Sequence, residues 1–186
     1  MAMKQSYIFL ATGFEEIEAL ATADVLRRAG INAVLVSIYD TLQVEGAHGI
    51  VVNADCTMSQ IDCKDAEWLI CPGGLPGADN LVNHAPLAEA LKAHTATGGR
   101  IAAICASPAV VLAPLGLLAG RKATCYPGFE NALVAGGATP EAARVVVAGN
   151  VITGNGPSSS IAFGLAIVEA TLGADAAQKV ASEMLV

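Results

Sequence analysis

Aromatic side chains are scarce in this chain of 186 residues, at 4%, although 54% of it is hydrophobic. The apolar content is therefore mainly Ala, Val, Ile and Leu, with 19 glycines. That profile suits an α/β protein with buried parallel strands, close helix packing and glycine-rich turns. Positive charge is also in short supply, with 10 Lys and Arg against 17 Asp and Glu, a net charge of −7 and no basic tract. A nucleic-acid groove or an anionic membrane surface needs the opposite sign, so neither partner is expected. The sequence reads as a soluble protein with small-molecule business.

Three further absences narrow the class. The five cysteines (Cys56, Cys63, Cys71, Cys105 and Cys125) are odd in number and contain no C-x-x-C pair. Structural zinc and a disulfide framework both lose their usual signature, and free thiols are the default. The N-terminus lacks the long apolar stretch and small-residue cleavage site of a signal peptide, because Glu15 and Glu16 stop a short apolar run; a cytoplasmic location is expected. Ile101 to Gly120, twenty residues without a charge, is long enough to cross a bilayer. Pro108 and Pro114 interrupt it and Gly116 and Gly120 lower its helix propensity, so a strand, a turn and a helix explain the same residues. One domain over residues 1–186 is expected.

What is present alternates between strand and helix signals. "SYIFLAT" reads as a buried strand ending at Gly13. "EEIEALATADVLRRAG" carries Ile17, Leu20, Ala21, Val25 and Leu26 near helical spacing, with Glu15 and Glu16 in the first turn and Arg27 and Arg28 in the last. "INAVLVSI" follows as a strand, then an antiparallel hairpin around "EGAHG". "AEWLICPGG", a helix from about Pro86 to Thr97, "RIAAIC" and the helix "SPAVVLAPLG" come next. "KATCYP", "ARVVVAG" and "VITGN" read as short strands, and "PSSSIAFGLAIVEATLG" and "ADAAQKVASEMLV" as closing helices. This order implies crossover units and a mainly parallel sheet with helices on both faces. Ligands in such sheets bind beyond the carboxyl ends of the strands, where "ATGFEE", "CPGG", "CASP", "CYP" and "GNGPSSS" arrive.

"AICAS" has the layout of a nucleophile elbow: small neighbours at Ala103 and Ser107 permit a sharp strand-to-helix turn that thrusts Cys105 outward. At a helix N-terminus the dipole would favour the thiolate. The spacing alone also admits a buried, inert cysteine, since free Cys is among the most buried residue types. Of the three histidines, His84 and His94 lie in or beside a polar helix and His48 in the hairpin, so no Cys-His dyad is visible. A helical wheel centred between Leu20, Ala21 and Ile17 leaves Glu15 and Glu16 outside and places Glu18 at the border of the apolar face. From there a carboxyl could share one proton with the thiol, or simply face solvent. Gly73 and Gly74, with the amide of Ala106, offer backbone donors for a developing oxyanion.

"ATGFEEIEAL", "CPGGLPGADNL", "RIAAICASPAVVLA" and "GNGPSSSIAFGLAIVEATLG" together resemble, in order and spacing, the ThiJ/PfpI superfamily, nearest the branch of the parkinsonism-associated protein deglycase and its bacterial relatives. The resemblance implies a flavodoxin-like three-layer α/β sandwich of the class I glutamine amidotransferase-like type, a homodimer, and no cofactor or metal. It implies Cys105 as the reactive thiol, Glu18 as its protonated partner, and Gly73, Gly74 and Ala106 as surrounding donors. The activities implied are a glyoxalase that turns methylglyoxal into lactate and a deglycase acting on early glyoxal adducts of proteins, with redox sensing through Cys105 or a chaperone role as the alternative. Four positions depart from the pattern. Ala106 stands where protease-like branches carry His, which argues against peptidase activity. Tyr126 replaces a histidine near the thiol, Asn155 replaces an arginine, and His48 replaces an interface arginine, with Arg28 expected on the facing surface. Cys125, beside Tyr126, is a candidate to form a disulfide with an oxidised Cys105.

Overall fold

Short aliphatic runs buried along nearly their whole length build a sheet with two covered faces. The structure is a computed structural model that describes residues 4–186; residues 1–3, part of the stretch read for a leader, lie outside it. In chain order it contains β1 (Gln5–Leu10), α1 (Glu16–Arg28), β2 (Asn32–Ser37), β3 (Gln43–Glu45), β4 (Val51–Asn53), β5 (Cys56–Thr57), β6 (Trp68–Cys71), α2 (Gly77–Asn83), α3 (Ala85–Ala96) and β7 (Arg100–Ile104). A π-helix (Pro108–Leu112) follows, then β8 (Lys122–Ala123), α4 (Glu130–Ala135), β9 (Thr139–Pro140), β10 (Val145–Ala148), β11 (Val151–Gly154), α5 (Ser160–Leu172) and α6 (Ala174–Glu183).

Seven strands form one sheet in the order β10-β11-β7-β6-β1-β2-β5. Every neighbouring pair is parallel except β10 and β11 at one edge. Side chains of period two divide the core. Phe9, Leu69 and Ala103 pack on one face with Leu81 of α2, Leu87 and Leu91 of α3 and Val111 of the π-helix. Ile8, Ile70 and Ile104 pack on the other with α1, α5 and α6. This is the flavodoxin-like α/β sandwich, with the antiparallel hairpin β3–β4 standing apart from the main sheet.

Three local readings change. Only Lys122 and Ala123 of "KATCYP" are strand, and they pair with β9 in a separate two-stranded ladder. The glycine-rich turn after β6 runs into a helix, α2, that the sequence did not announce. The element after Cys105 is a five-residue π-helix, and turns follow it. No helix among the described residues is long and apolar enough to cross a membrane. The long uncharged run divides instead into β7, the elbow, the π-helix and turns.

Candidate active site

The central strands β1, β6, β7 and β11 end side by side, and main-chain hydrogen bonds lock their exits together. Glu15 N–H donates to Gly73 O at 2.9 Å, Cys105 N–H to Gly154 O at 2.9 Å, and Tyr126 N–H to Cys105 O at 2.8 Å. Ser107, fully buried, donates its hydroxyl to Pro72 O at 2.5 Å, tying the elbow to the Pro72-Gly73-Gly74 turn. Cys105 itself is held at φ +64°, in the left-handed region. For a residue with a side chain that costs about 1–3 kcal/mol, a strain common where a side chain must be aimed.

Glu18 meets this cysteine from α1. Its side chain has no solvent exposure, and Oε2 accepts the Gly73 N–H at 2.7 Å. Oε1 lacks a conventional partner, and the Cys105 thiol is the hydrogen-bonding group beside the carboxyl. Gly73 makes this approach possible: a Cβ there would lie 2.6 Å from Cys105 Cβ and 2.8 Å from Glu18 Oε2. Gly74, at φ +85°, is equally confined, since its Cβ would fall 2.4 Å from Glu15 N.

The wheel placed Glu18 usefully but centred the buried face wrongly. Ile17 is 57% exposed and Leu20 37%, while Glu16, Glu18, Ala19, Thr22, Val25 and Leu26 are buried. The inward face is set by close packing on α5, where a Cβ at Gly164 would come within 2.9 Å of Val25. Small residues, rather than the largest ones, mark the contact.

Burial pushes the Glu18 carboxyl up to about 7, against the opposing hydrogen bonds from Cys105 and Gly73. The Cys105 thiol also rises, to about 12, through burial first and then the Glu18 carboxylate. Hydrogen bonds from the Gly74 and Ala106 amides pull it the other way. The expected thiol lowered by a helix dipole is therefore not what the fold builds: Cys105 is only 8% exposed and precedes a π-helix too short to carry a strong dipole. Repulsion vanishes when Glu18 holds the proton, and the carboxyl then becomes a donor to sulfur. The pair is a two-site acid that keeps one proton above pH 7.

The backbone donors divide unequally. Gly74 and Ala106 direct their amides at the sulfur, where they favour negative charge. Gly73 does not serve that role, because its N–H is committed to Glu18. Tyr126 is 46% exposed, with its ring beside Gly156 and edge-on to Phe129 at 6.4 Å. Asn155 accepts the Ser159 hydroxyl at 2.7 Å. The positive charge missing at Asn155 is supplied nearby by Arg144, which the sequence reading passed over; its Nε donates to Ser159 Oγ at 3.2 Å and its Nη2 to Ser158 O at 2.5 Å. Asn155, Arg144 and Cys125 border a cavity of about 480 Å³. Cys105 and Cys125 are both free thiols, and Cys125 directly precedes Tyr126, whose N–H bonds Cys105 O.

His48 lies closer to the site than its place in the hairpin suggested. Its N–H donates to Glu16 Oε1 at 2.8 Å, and its Nδ1 meets Glu16 Oε2 at 2.8 Å and Glu15 Oε2 at 3.7 Å. Burial raises Glu16, but the His48 hydrogen bonds outweigh it and hold the carboxyl below its ordinary value; His48 rises correspondingly. These three residues are the convergent set of metal-ligand atoms among those described, within 4.8 Å of one another. They satisfy each other as an ion-paired clasp between hairpin and α1. Arg28 is bound within its own helix, to Asp24 Oδ2 at 2.7 Å.

Comparison with known proteins identifies the family. Residues 4–170 match the DJ-1/PfpI family. Protein DJ-1 homolog B of Arabidopsis thaliana is 37% identical over 182 residues, 98% of this chain but 41% of that protein. The chain thus spans less than half the length of that relative. Glutathione-independent glyoxalase DJR-1.2 of Caenorhabditis elegans is 37% identical over 155 residues, covering 83% of this chain and 81% of that one. The oxidized form of Toxoplasma gondii DJ-1 superposes with a TM-score of 0.93 at 40% identity, over 98% of each chain. Sequence motifs, sheet order and these likenesses agree, and the chain belongs to the DJ-1/PfpI family.

Proposed function

We propose that the protein is a cofactor-independent enzyme acting on 2-oxoaldehydes such as methylglyoxal, or on their early adducts with proteins. One observation carries the reading: a fully buried carboxyl raised to about 7 lies against a thiol on a strained elbow. A base whose pKa matches the working pH is best placed to move protons in both directions. Cys105 sulfur attacks the aldehyde carbon as Glu18 accepts the thiol proton. The new alkoxide, beside the Gly74 and Ala106 amides, takes that proton back and becomes a hemithioacetal. Glu18 next removes the hydrogen from the former aldehyde carbon, and the electron pair moves to the neighbouring ketone as an enediol. Return of the proton to that neighbouring carbon gives the thioester of a 2-hydroxy acid. Water cleaves it, releasing the acid and regenerating the thiol; no oxidant or reductant is consumed. The DJR-1.2 name supports this reaction class. Lactate formation in glutathione-free buffer tests it, and turnover that survives Cys105→Ser overturns it.

The same geometry supports a second reading, oxidation of Cys105 by peroxide. Sulfur attacks one peroxide oxygen, water leaves, and a second equivalent converts the sulfenic to the sulfinic acid. The Gly74 and Ala106 amides would hold the new oxygens, and an oxidized relative has been solved. Burial alone raises Cys71 to about 12, and burial is the leading cause of the rise to about 11 at Cys63 and Cys125; none of these three has such donors. Mass spectrometry after mild peroxide should find Cys105 modified first. Equal modification of Cys63 and Cys125 would remove this reading.

A second copy of the chain is the proposed partner. Ile17 and Leu20 on α1, with Ile50 and Val51 on the hairpin, form an exposed apolar face fastened by the His48–Glu16 clasp. Such a face marks an interaction surface. Sedimentation should give a dimer that Ile17→Glu shifts to monomer; a monomeric wild type refutes it.

A further inference from the structure

Two successive peptide planes in the turn after β6 face the reacting pair, and each is held from behind. In the Pro72–Gly73 plane the N–H donates to Glu18 Oε2 at 2.7 Å, and the carbonyl accepts the Ser107 hydroxyl at 2.5 Å. In the Gly73–Gly74 plane the N–H bonds the Cys105 sulfur, and the carbonyl accepts the Glu15 N–H at 2.9 Å. The Gly74 carbonyl is taken in turn by the Ala78 N–H at 2.9 Å. Of these three carbonyls, only that of Pro72 relies on a side chain among the described residues. Ser107 is thus the hold on this turn that a single substitution can release while the backbone bonds stay in place.

The Ser107 hydroxyl is not spent on its own helix. The residue stands at the N-cap of the π-helix, where a serine oxygen commonly accepts an N–H of the first turn, yet its side chain makes no such bond. Both ends of the Ser107–Pro72 bond are buried. A buried carbonyl needs a donor, and the hydroxyl supplies it.

The orientation of the Pro72–Gly73 plane decides what the Glu18 carboxyl can do. With Oε2 fixed by the Gly73 N–H, Oε1 is left without a conventional partner, and the carboxyl meets the Cys105 thiol. A plane free to rotate would carry its N–H off Oε2 and let the carboxyl turn from the sulfur. Hydrogen bonds in series also polarise one another, so donation to the carbonyl strengthens the N–H of the same plane.

We propose that Ser107 is a positioning residue: through the Pro72–Gly73 peptide its hydroxyl holds the Gly73 N–H on Glu18 and keeps the carboxyl aimed at the Cys105 sulfur. It touches neither substrate nor the reacting atoms. The kinetic consequence rests on the reading of Glu18 as the proton carrier; the hydrogen-bond chain does not.

Ser107→Ala removes one oxygen and keeps the small side chain that the elbow requires. For lactate formation from methylglyoxal, kcat should fall about three- to tenfold with KM little changed. In a Glu18→Gln background the same substitution should cost nothing further in kcat, because Ser107 acts through the carboxyl. In the NMR spectrum of the substrate-free protein, the Gly73 amide proton should move upfield as its bond to Glu18 weakens. Thr171→Val is the control. It removes the hydroxyl that accepts Trp68 Nε1–H at 2.8 Å at the far end of β6, and should lower thermal stability while leaving kcat and the Gly73 signal unchanged. A Gly73 signal that stays in place in Ser107→Ala overturns the proposal, whether or not methylglyoxal is turned over. So does an equal loss of kcat in wild type and Glu18→Gln, the mark of a purely structural residue. A wild type that makes no lactate while the Gly73 signal moves as expected refutes the enzyme reading and leaves the hydrogen-bond chain standing.

Discussion

Glu18→Gln should lower kcat for methylglyoxal about 10²- to 10⁴-fold, the usual contribution of a positioned acid–base group, while Cys105→Ser falls to the uncatalysed background. Gln keeps the shape of the side chain and still accepts the Gly73 N–H, so the elbow stays in place. What it loses is the capacity to take a proton from sulfur and hand it along the substrate. KM should therefore change far less than kcat, the pattern of an interaction made only in the transition state. The pH profile sharpens the test. Activity needs the pair to have given up one proton, so kcat/KM in wild type should rise with pH through about 7, following Glu18. In Glu18→Gln that rise should be absent. A rising limb that persists unchanged would assign the proton transfer to another group.

The parts of this site that the sequence disclosed are those governed by local rules. Continuous aliphatic runs predicted the central strands, and the small residues around Cys105 predicted the elbow, because both patterns are legible within a few residues. What was hidden depends on distant chain segments. Glu18 is buried because Gly164 lets α1 close onto α5, a contact that a wheel weighted by large apolar residues misplaces. Gly73 was read as an oxyanion donor, but its amide is taken by a carboxyl 55 residues away. The thiol's upward shift follows from burial beside that carboxyl, which no local dipole argument contains. Ser107 seemed only a small neighbour, and its hydrogen bond to Pro72 carries no sequence signal. Arg144 could have been found by asking which cation compensates for Asn155.

The burial that tunes Glu18 for proton transfer also works against the fold, and Glu18→Gln should show it as a pH-dependent gain in stability. The folded carboxyl is pushed up by burial to about 7, against an ordinary value of 4.5. Between those values the native state binds the extra proton, so stability falls as pH rises. Above pH 7 the whole penalty is present: 2.5 pH units at 1.36 kcal/mol each, about 3 kcal/mol. Gln carries no such penalty. At pH 8 the variant should unfold about 6–12 °C above wild type, and at pH 4.5 or below the two should nearly coincide. A constant gap at both pH values would mean that Glu18 titrates in the native state as it does in the unfolded chain, and would refute the raised carboxyl.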